Sequence, residues 1–395
     1  MLFVAHSFPR FDDDVAGSFL LRLAVALADV GVEVRVLAPA AAGLPAHDTL
    51  RGVSVRRYHY AARRDETLAY TGGMAETARG SWRGMAALAG LLAAGGLAVR
   101  AAVRTWRPHV VHAHWWFPGG LSATLPGVLG GRPLVVTMHG SDVRLARAAR
   151  PAHRVLDAVV RRASAVTAVS SWLCAEARAM APRVQCAVAP MPVDAERYAP
   201  PNADTGRAAL LFVGRLTPQK GVDALLDAFA RMRTRTTLDI VGRGPEADAL
   251  RARADGLGVS ERVRWIDSQP PTLLAPWYQR AVALVVPSTE EGLGLVAVEA
   301  MLCETPVVAF RSGGLTDVVR DGETGLLAPA GDVDGLAACL DRIVGDPALA
   351  RRLGRAGRAE VAARFTPDAV ASAYRGVYDR VVAKSPRAAD ARGGR

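Results

Sequence analysis

The sequence has few lysines and cysteines, and it lacks the motifs of nucleic-acid-binding and metal-binding proteins. Only two of its 49 basic residues are lysines, Lys220 and Lys384, and its formal net charge of +11 comes without a basic run interleaved with aromatic side chains. We therefore expect no nucleic-acid partner. The four cysteines show neither metal-ligand spacing nor a C-x-x-C pair, so we expect neither a metal site nor a disulfide from them. This cysteine usage favours a reducing, cytoplasmic location.

Long apolar runs are also missing. No uninterrupted run reaches the roughly 18 residues of a membrane span, and the N-terminus enters a strand without the basic region and cleavage site of a signal peptide. The nearest candidate is the segment from Met85 to Val103, which is flanked by four arginines: Arg79, Arg83, Arg104 and Arg107. It fits a packed helix, which the interruption at Gly95 and Gly96 favours. The alternative is an interfacial helix on an anionic membrane, which would place the protein peripherally at the inner face.

The length and the order of the elements predict two domains of the α/β class. A chain of 395 residues, half of them hydrophobic, is too long for one core and can fill two. Short apolar strands alternate with helices, which is typical of doubly wound parallel sheets. A proline-rich stretch near residues 190–205 marks the boundary. We expect domains at 1–190 and 191–365, a helix at 366–384 that crosses back to the first domain, and a disordered tail at 385–395.

One stretch, from Pro287 to Met301, is predicted to carry the principal site. The apolar run Ala281 to Val286 before it reads as a buried parallel strand, and Val296 to Leu302 can form a helix. Glycines between the two let the backbone approach a ligand and leave the first amides of the helix free for an anion. Glu291 and Glu299 bracket this gap, and eight residues at helical rise span about 12 Å. Two carboxylates at that separation suit an elongated polyhydroxyl ligand.

The same stretch resembles the donor-site signature of the retaining glycosyltransferases of family 4, which have the GT-B fold. The match comprises Pro287-Ser288, Glu291-Gly292, Gly294-Leu295 and Glu299-Ala300-Met301. The resemblance implies that Glu291 faces the donor sugar and that Glu299 holds the nucleotide ribose. Leu293 stands where the family usually has phenylalanine. The resemblance also implies a metal-independent enzyme without a cofactor, whose arginine and lysine supply the positive charge.

A second loop supplies that charge. Gly214 to Gly221 follows the strand Ala209 to Val213 and holds Arg215 and Lys220, which together make a plausible clamp for a diphosphate. Because the chain otherwise uses arginine, a lysine here indicates geometry that a guanidinium would not fit. The loop resembles the family's Gly-Arg-Leu-x-x-x-Lys-Gly, whose arginine and lysine hold the donor phosphates.

The first domain offers two further candidates. Gly17 lies just before a predicted helix, where free amides could reach a phosphate. His139 follows the strand Leu134 to Met138, and polar residues at the carboxyl ends of parallel strands line ligand crevices. Its Thr-x-His-Gly context resembles the active-site histidine of the family.

A dinucleotide-dependent oxidoreductase is the main rival interpretation. Gly242, Gly244 and Ala247 match the fingerprint G-x-G-x-x-A after a strand, and Asp267 ends the next strand as a ribose-binding acid would. Against this interpretation, Pro245 has no amide to offer a pyrophosphate.

Two groups of residues could suggest a metal. Asp12, Asp13 and Asp14 are adjacent in one loop, which we expect to be a solvated polar loop. A cluster of His109, His112 and His114 lacks a carboxylate or cysteine at ligand spacing, so no metal is predicted there.

The sequence thus predicts two Rossmann-like domains of the GT-B type that face each other across a cleft. The predicted function is transfer of a sugar, with retention, from a nucleotide-sugar donor to the hydroxyl of a glycan or lipid-linked acceptor. The donor-binding residues are predicted to be Gly17, Arg215, Lys220, Gly292, Leu293, Gly294, Leu295 and Glu299, and the catalytic residues Glu291 and His139. The same pattern would also fit a non-catalytic nucleotide-sugar binder and an epimerase or hydrolase of the GT-B fold.

Overall fold

The computed structural model describes residues 1–70, 74–201 and 206–385. The chain divides into two compact units: Met1–Pro192 together with the C-terminal residues from Asp368, and Val193–Pro367. Residues 202–205 of the predicted boundary and, apart from Ser385, the predicted disordered tail lie outside the described residues.

The first unit is built on an eight-stranded sheet in the order β3-β4-β2-β1-β5-β6-β7-β8, in which only the β3–β4 pair is antiparallel. Its central strands are short apolar runs that are buried along their whole length, as strands covered by helices on both faces must be. The strands are β1 Leu2–Val4, β2 Arg35–Pro39, β3 His47–Leu50, β4 Val53–Tyr58, β5 Val111–His114, β6 Leu134–Met138, β7 Ala165–Ala168 and β8 Cys186–Val188.

Helices connect these strands, and the last helix of the chain packs with this unit as well. Tyr374 of that helix donates a hydrogen bond to the carbonyl of Ala189 at 3.0 Å, which ties the C-terminal segment to the end of the sheet. The helices are α1 Ser18–Asp29, α2 Met74–Arg79, α3 Trp82–Trp106, α4 Leu121–Ala123, α5 Ser141–Arg147, α6 Arg150–Arg162, α7 Ser171–Met180 and, after those of the second unit, α15 Pro367–Ala383.

The second unit has a six-stranded, fully parallel sheet in the order β11-β10-β9-β12-β13-β14. Its strands are β9 Ala209–Val213, β10 Thr237–Val241, β11 Val263–Ile266, β12 Ala281–Val286, β13 Val307–Phe310 and β14 Gly325–Ala328. Its helices are α8 Val222–Arg231, α9 Ala247–Gly256, α10 Ala275–Arg280, α11 Leu295–Leu302, α12 Leu315–Val318, α13 Val333–Gly345 and α14 Pro347–Phe365. The predicted fold class, α/β with two doubly wound Rossmann-like sheets, is confirmed.

The cysteine prediction is wrong for one pair. Cys174 of α7 and Cys186 of β8 form a disulfide, with their Cα atoms 5.4 Å apart. The two residues lie on adjacent elements at the edge of the first sheet, a proximity that a spacing of 12 residues does not reveal. The inference of a reducing compartment from unpaired cysteines therefore loses its basis.

The structure corrects the expectation that Gly95 and Gly96 interrupt the apolar segment, which lies within the continuous helix α3. Gly95 and Gly96 do not interrupt it; both are buried, and a Cβ atom on Gly96 would lie 2.8 Å from a side-chain carbon of Leu125. Within the part of the chain that the structure describes, α3 is the one helix long and apolar enough to span a membrane by length and composition, although 39% of its apolar window is buried. Core helices of folded domains pass the same test, and α3 packs one face into the first unit.

Candidate functional site

Two predicted donor-site residues meet in the second unit. Lys220 donates a hydrogen bond from Nζ to Oε2 of Glu291 at 2.6 Å, and the side chains are 31% and 14% exposed. Lys220 ends the turn after β9, whereas Glu291 lies in the loop after β12, and these two strands are neighbours in the sheet. The sheet topology therefore places the ammonium and the carboxylate at the same carboxyl edge.

Backbone packing fixes both loops. Gly221 has φ +64°, and a Cβ atom there would collide with the carbonyl oxygen of Pro287, so only glycine allows this approach. The amide of Thr289 donates to the carbonyl of Gln219 at 3.1 Å. The amide of Gly314 donates to the carbonyl of Glu291 at 2.8 Å. The Lys220–Glu291 pair thus sits on loops held by main-chain contacts, which favours a preorganised site.

The start of α11 presents free amides beside this pair. Among the residues that the structure describes, no protein acceptor is bonded to the amides of residues 292–296. Gly294, with φ +87°, turns the chain into the helix, and Leu293 is buried at 5% exposure. Gly292, Leu295 and their neighbours therefore offer the partial positive charge of a helix N-terminus to an anion.

Glu299 lies inside α11 and is almost buried, at 7% exposure. Its Oε2 accepts a hydrogen bond of 2.8 Å from Tyr278 of α10, a fully buried residue. Burial raises the pKa of the Tyr278 hydroxyl, so it remains a donor across the physiological range. Tyr278 was missed by sequence reasoning, because it lies on another helix and in no motif.

Arg215 and Gly17 occupy different surroundings. Arg215 follows β9 and is exposed, and no described side chain is paired with its guanidinium. Gly17 precedes α1 in the first unit, and a Cβ atom there would lie 2.6 Å from the carbonyl oxygen of Ser7. A side chain is therefore excluded at Gly17 by packing against its own loop.

His139 stands at the carboxyl end of β6, where the sequence placed it. Its amide, and that of Gly140, donate to Oδ1 of Asp142 at 3.1 and 3.0 Å. The other carboxylate oxygen of Asp142 accepts from the amide of Trp116 at 3.1 Å. Asp142 is buried and fixes the His139 loop, a role that sequence reasoning missed. The signal in the sequence was an acid three residues after a strand-end histidine, at the start of a helix.

His139 belongs to a cluster of four histidines in the first unit, which are His6, His112, His114 and His139. Its Nε2 lies 3.2 Å from Nδ1 of His114, and its ring packs between Phe19 and Trp115. His112 is bonded through Nδ1 to Tyr378 at 2.8 Å and through Nε2 to Thr137 at 2.7 Å.

Burial keeps these imidazoles neutral. It lowers the pKa of His6 to about 4 and that of His112 to about 3, because the charged form loses its hydration. The pKa values of His114 and His139 are likewise well below the ordinary value, first through burial and then through repulsion from neighbouring histidines. These groups therefore act as neutral donors and acceptors at physiological pH.

The glycines of the dinucleotide fingerprint pack closely against the protein's own backbone. Cβ atoms on Gly242 and Gly244 would collide with the carbonyl oxygens of Gly214 and Leu216. These glycines therefore serve the packing of one loop on another, and the amide of Gly242 already donates to the carbonyl of Ile266 at 3.0 Å. Asp267 is exposed and accepts the amide of Ser268 at 2.7 Å.

The Asp12–Asp14 loop is not uniformly solvated, which corrects the prediction. Asp14 is 4% exposed and forms an ion pair with Arg10 at 2.6 Å, whereas Asp12 and Asp13 are exposed. Within residues 1–70, 74–201 and 206–385, no group of three or more histidine, cysteine, aspartate or glutamate side chains is arranged to hold a metal ion.

Family models match both units of the chain. Residues 16–192 match the model described as "Glycosyl transferase 4-like domain", and residues 195–360 match "Glycosyl transferases group 1". The glycogen synthase of Mycobacterium tuberculosis is 34% identical over 299 residues, which are 70% of this chain and 69% of that protein. The D-inositol 3-phosphate glycosyltransferase of Acidothermus cellulolyticus is 36% identical over 316 residues, 72% of this chain and 69% of that protein.

Solved structures share the fold over nearly the whole chain. Sucrose-phosphate synthase from Thermosynechococcus elongatus has a TM-score of 0.80 at 24% identity, over 97% of this chain and 99% of that one. HepE of Anabaena in complex with UDP and glucose has a TM-score of 0.73 at 19% identity, over 96% of this chain and 99% of that one. Together, the family matches and the relatives leave the oxidoreductase interpretation unsupported. The chain belongs to the group 1 glycosyltransferases and is an enzyme that transfers a sugar from a nucleotide-sugar donor to an acceptor.

Proposed function

We propose that the second unit binds the nucleoside diphosphate of the donor at the Lys220–Glu291 pair and the N-terminus of α11. The observation that carries this proposal is the 2.6 Å ion pair beside the free amides of residues 292–296. A departing diphosphate gains negative charge on its leaving oxygen as the glycosidic bond breaks. Lys220, the amides and Arg215 are the groups in this unit that can stabilise that charge, which should be the main catalytic contribution.

The carboxylates are assigned to the sugar and the ribose. Glu299, held by Tyr278, accepts hydrogen bonds from the ribose hydroxyls, and Glu291 orients the transferred sugar. We assign His139, with Glu291, to the orientation of the transferred sugar, and the amides at Gly17 to a donor phosphate. These roles rest on the resemblance to family 4, as do retention of the anomeric configuration and independence of a metal ion.

The base and the acceptor are proposed from the relatives. UDP is the first candidate because HepE is described with UDP and glucose. The names glycogen synthase and D-inositol 3-phosphate glycosyltransferase specify a glycan and a phosphorylated cyclitol, so we propose a carbohydrate hydroxyl as the acceptor.

Calorimetric titration with UDP, GDP, ADP and NAD tests the proposal. We expect tight binding of one diphosphate and none of NAD. Incubation with the corresponding glucose donors should then give a product whose new linkage keeps the donor's anomeric configuration by NMR, with an unchanged rate in excess EDTA. An inverted anomeric configuration would overturn the proposal of retention, and loss of activity in EDTA would overturn metal independence. Tight binding of NAD would instead favour a dinucleotide site at Gly242.

We further propose that α3 contacts an anionic membrane surface, which would bring a lipid-linked acceptor within reach. Its outer face exposes Trp82, Met85 and Leu97 at 77%, 53% and 68%, and the helix contains no acidic residue. Arg83 and Arg100 are exposed on the same helix. Each cation near such a surface contributes about 1 kcal/mol.

Vesicle co-sedimentation tests this surface. We expect the protein to sediment with anionic vesicles and not with neutral ones, and the double variant Trp82→Ser, Leu97→Ser to lose most of that binding. Leu273→Ser, which alters an exposed leucine of the second unit, is the matched control. Equal sedimentation with anionic and neutral vesicles would contradict the proposed membrane contact of α3.

A further inference from the structure

His114 is a fully buried histidine that the proposed mechanism does not use. It ends β5, next to the strand that carries His139, and it is 0% exposed. Its Nδ1 lies 3.2 Å from Nε2 of His139, while its own Nε2 is buried without a hydrogen-bond partner. Its ring contacts Phe3 edge-on at 4.5 Å between centroids and lies 4.0 Å from the ring of His112. It is thus firmly packed and bonded to a single polar partner.

The shared proton between the two rings has two possible positions. A neutral imidazole has one nitrogen that donates and one that accepts, so the tautomers of the two rings are linked. If His139 donated from Nε2, His114 would carry its proton on Nε2, where a buried N–H would find no acceptor. If His114 donates from Nδ1, only a bare acceptor nitrogen remains at that place. Orphaned buried N–H groups are rare in native proteins, so the second arrangement is favoured.

This arrangement determines what His139 offers a ligand. With Nε2 accepting from His114, the proton of His139 lies on Nδ1. That nitrogen bonds to no residue in the described part of the chain, and His139 is half-buried rather than enclosed. We infer that His114 is a positioning residue that holds His139 as the Nδ1–H tautomer, so that His139 donates a hydrogen bond to an oxygen of the bound sugar. The inference rests on the proposed role of His139.

The tautomer can be measured directly in the full-length protein. Selective ¹⁵N-histidine labelling and two-bond ¹⁵N–¹H correlation spectra distinguish Nδ1–H from Nε2–H rings, and a His139→Gln variant assigns the signal. We expect His139 to be a neutral Nδ1–H ring in the wild type. An Nε2–H ring would overturn the inference whatever the activity, so this result is independent of the proposed function.

Two substitutions then separate positioning from packing. His114→Asn keeps a side-chain N–H close to the place of Nδ1, whereas His114→Leu keeps the bulk and removes the donor. We expect His114→Leu to mix the tautomers of His139 and to lower kcat by about tenfold, the worth of one hydrogen bond, with little change in the donor KM. His114→Asn should keep the Nδ1–H signal and recover kcat to within about threefold.

The controls keep the outcomes distinct. His109→Leu alters an exposed histidine two residues before β5 and should change neither the spectrum nor kcat. A folded His114→Asn protein as slow as His114→Leu would contradict the positioning role. If His139→Gln were fully active, the catalytic role of His139 in the proposed function would fail, while the tautomer result would stand on the spectra. Should His114→Leu not fold, the wild-type and His114→Asn spectra still decide the question.

Discussion

Replacing Lys220 by alanine is expected to lower kcat/KM by roughly 30-fold to 5,000-fold, equivalent to about 2 to 5 kcal/mol of transition-state stabilisation. Two losses combine. The departing diphosphate loses the ammonium that stabilises its charge, and Glu291, only 14% exposed, keeps a carboxylate without its 2.6 Å partner. Arg215 remains, so a residual rate is expected. Release of nucleoside diphosphate under initial-rate conditions measures the effect.

The chain supplies an unusually close control for this substitution. Lys384 is its only other lysine and lies, exposed, just beyond the end of α15. Lys384→Ala removes the same charge from the chain and should leave kcat/KM unchanged. If both variants kept near-normal turnover, the diphosphate clamp would be wrongly assigned.

Lys220→Arg addresses the shape of the site. The ammonium is a compact charge, while a guanidinium is a planar fork that needs more room. In a sequence that uses arginine almost everywhere else, we expect the arginine variant to be more active than Lys220→Ala and less active than the wild type. Full activity in Lys220→Arg would show that charge alone matters at this position.

Local patterns predicted the elements of this fold well because local physics determines them. The strand Ala281–Val286 and the helix Leu295–Leu302 follow from an apolar run, a glycine turn and a helical period within 22 residues. Lys220 and Glu291 could each be named from the residues around them. The ion pair between them could not be predicted, because it joins positions 71 residues apart and depends on which strands are neighbours in the sheet.

Most of the missed features are contacts between different elements of the fold. The disulfide Cys174–Cys186 joins a helix to an edge strand, and Tyr278 reaches Glu299 from another helix. His112 is bonded to Tyr378, 266 residues later, because the last helix packs with the first unit. Sequence spacing carries no signal for such contacts, since the sheet order and the path of the chain decide them.

Mild acid is expected to destabilise the first unit before the second. All eight histidines belong to the first unit, and four of them, His6, His112, His114 and His139, have pKa values lowered by burial. In the unfolded chain these groups take up protons below about pH 6.5, whereas in the folded unit His6 does so only near pH 4 and His112 near pH 3. The unfolded state therefore binds more protons in between, and the free energy of unfolding falls as the pH drops.

The size of the effect follows from proton linkage. Each histidine contributes up to about 1.4 kcal/mol per pH unit between its unfolded and folded pKa values. Asp142 works in the opposite direction, because burial raises its pKa and lets the folded state take up a proton early. The four histidines with lowered pKa values still outweigh this one carboxyl group. The free energy of unfolding should therefore be highest above about pH 6.5 and decline steadily towards pH 4.

Calorimetric unfolding between pH 7.5 and 4.5 tests this expectation. We expect two transitions to separate on acidification, with the first unit unfolding at the lower temperature. His114→Asn removes one titrating group and should make the pH dependence of that transition shallower by up to one proton. His109→Gln, at an exposed site, should leave it unchanged. A first transition that stays at the same temperature from pH 7 to pH 5 would show that the buried imidazoles do not control the stability of this unit.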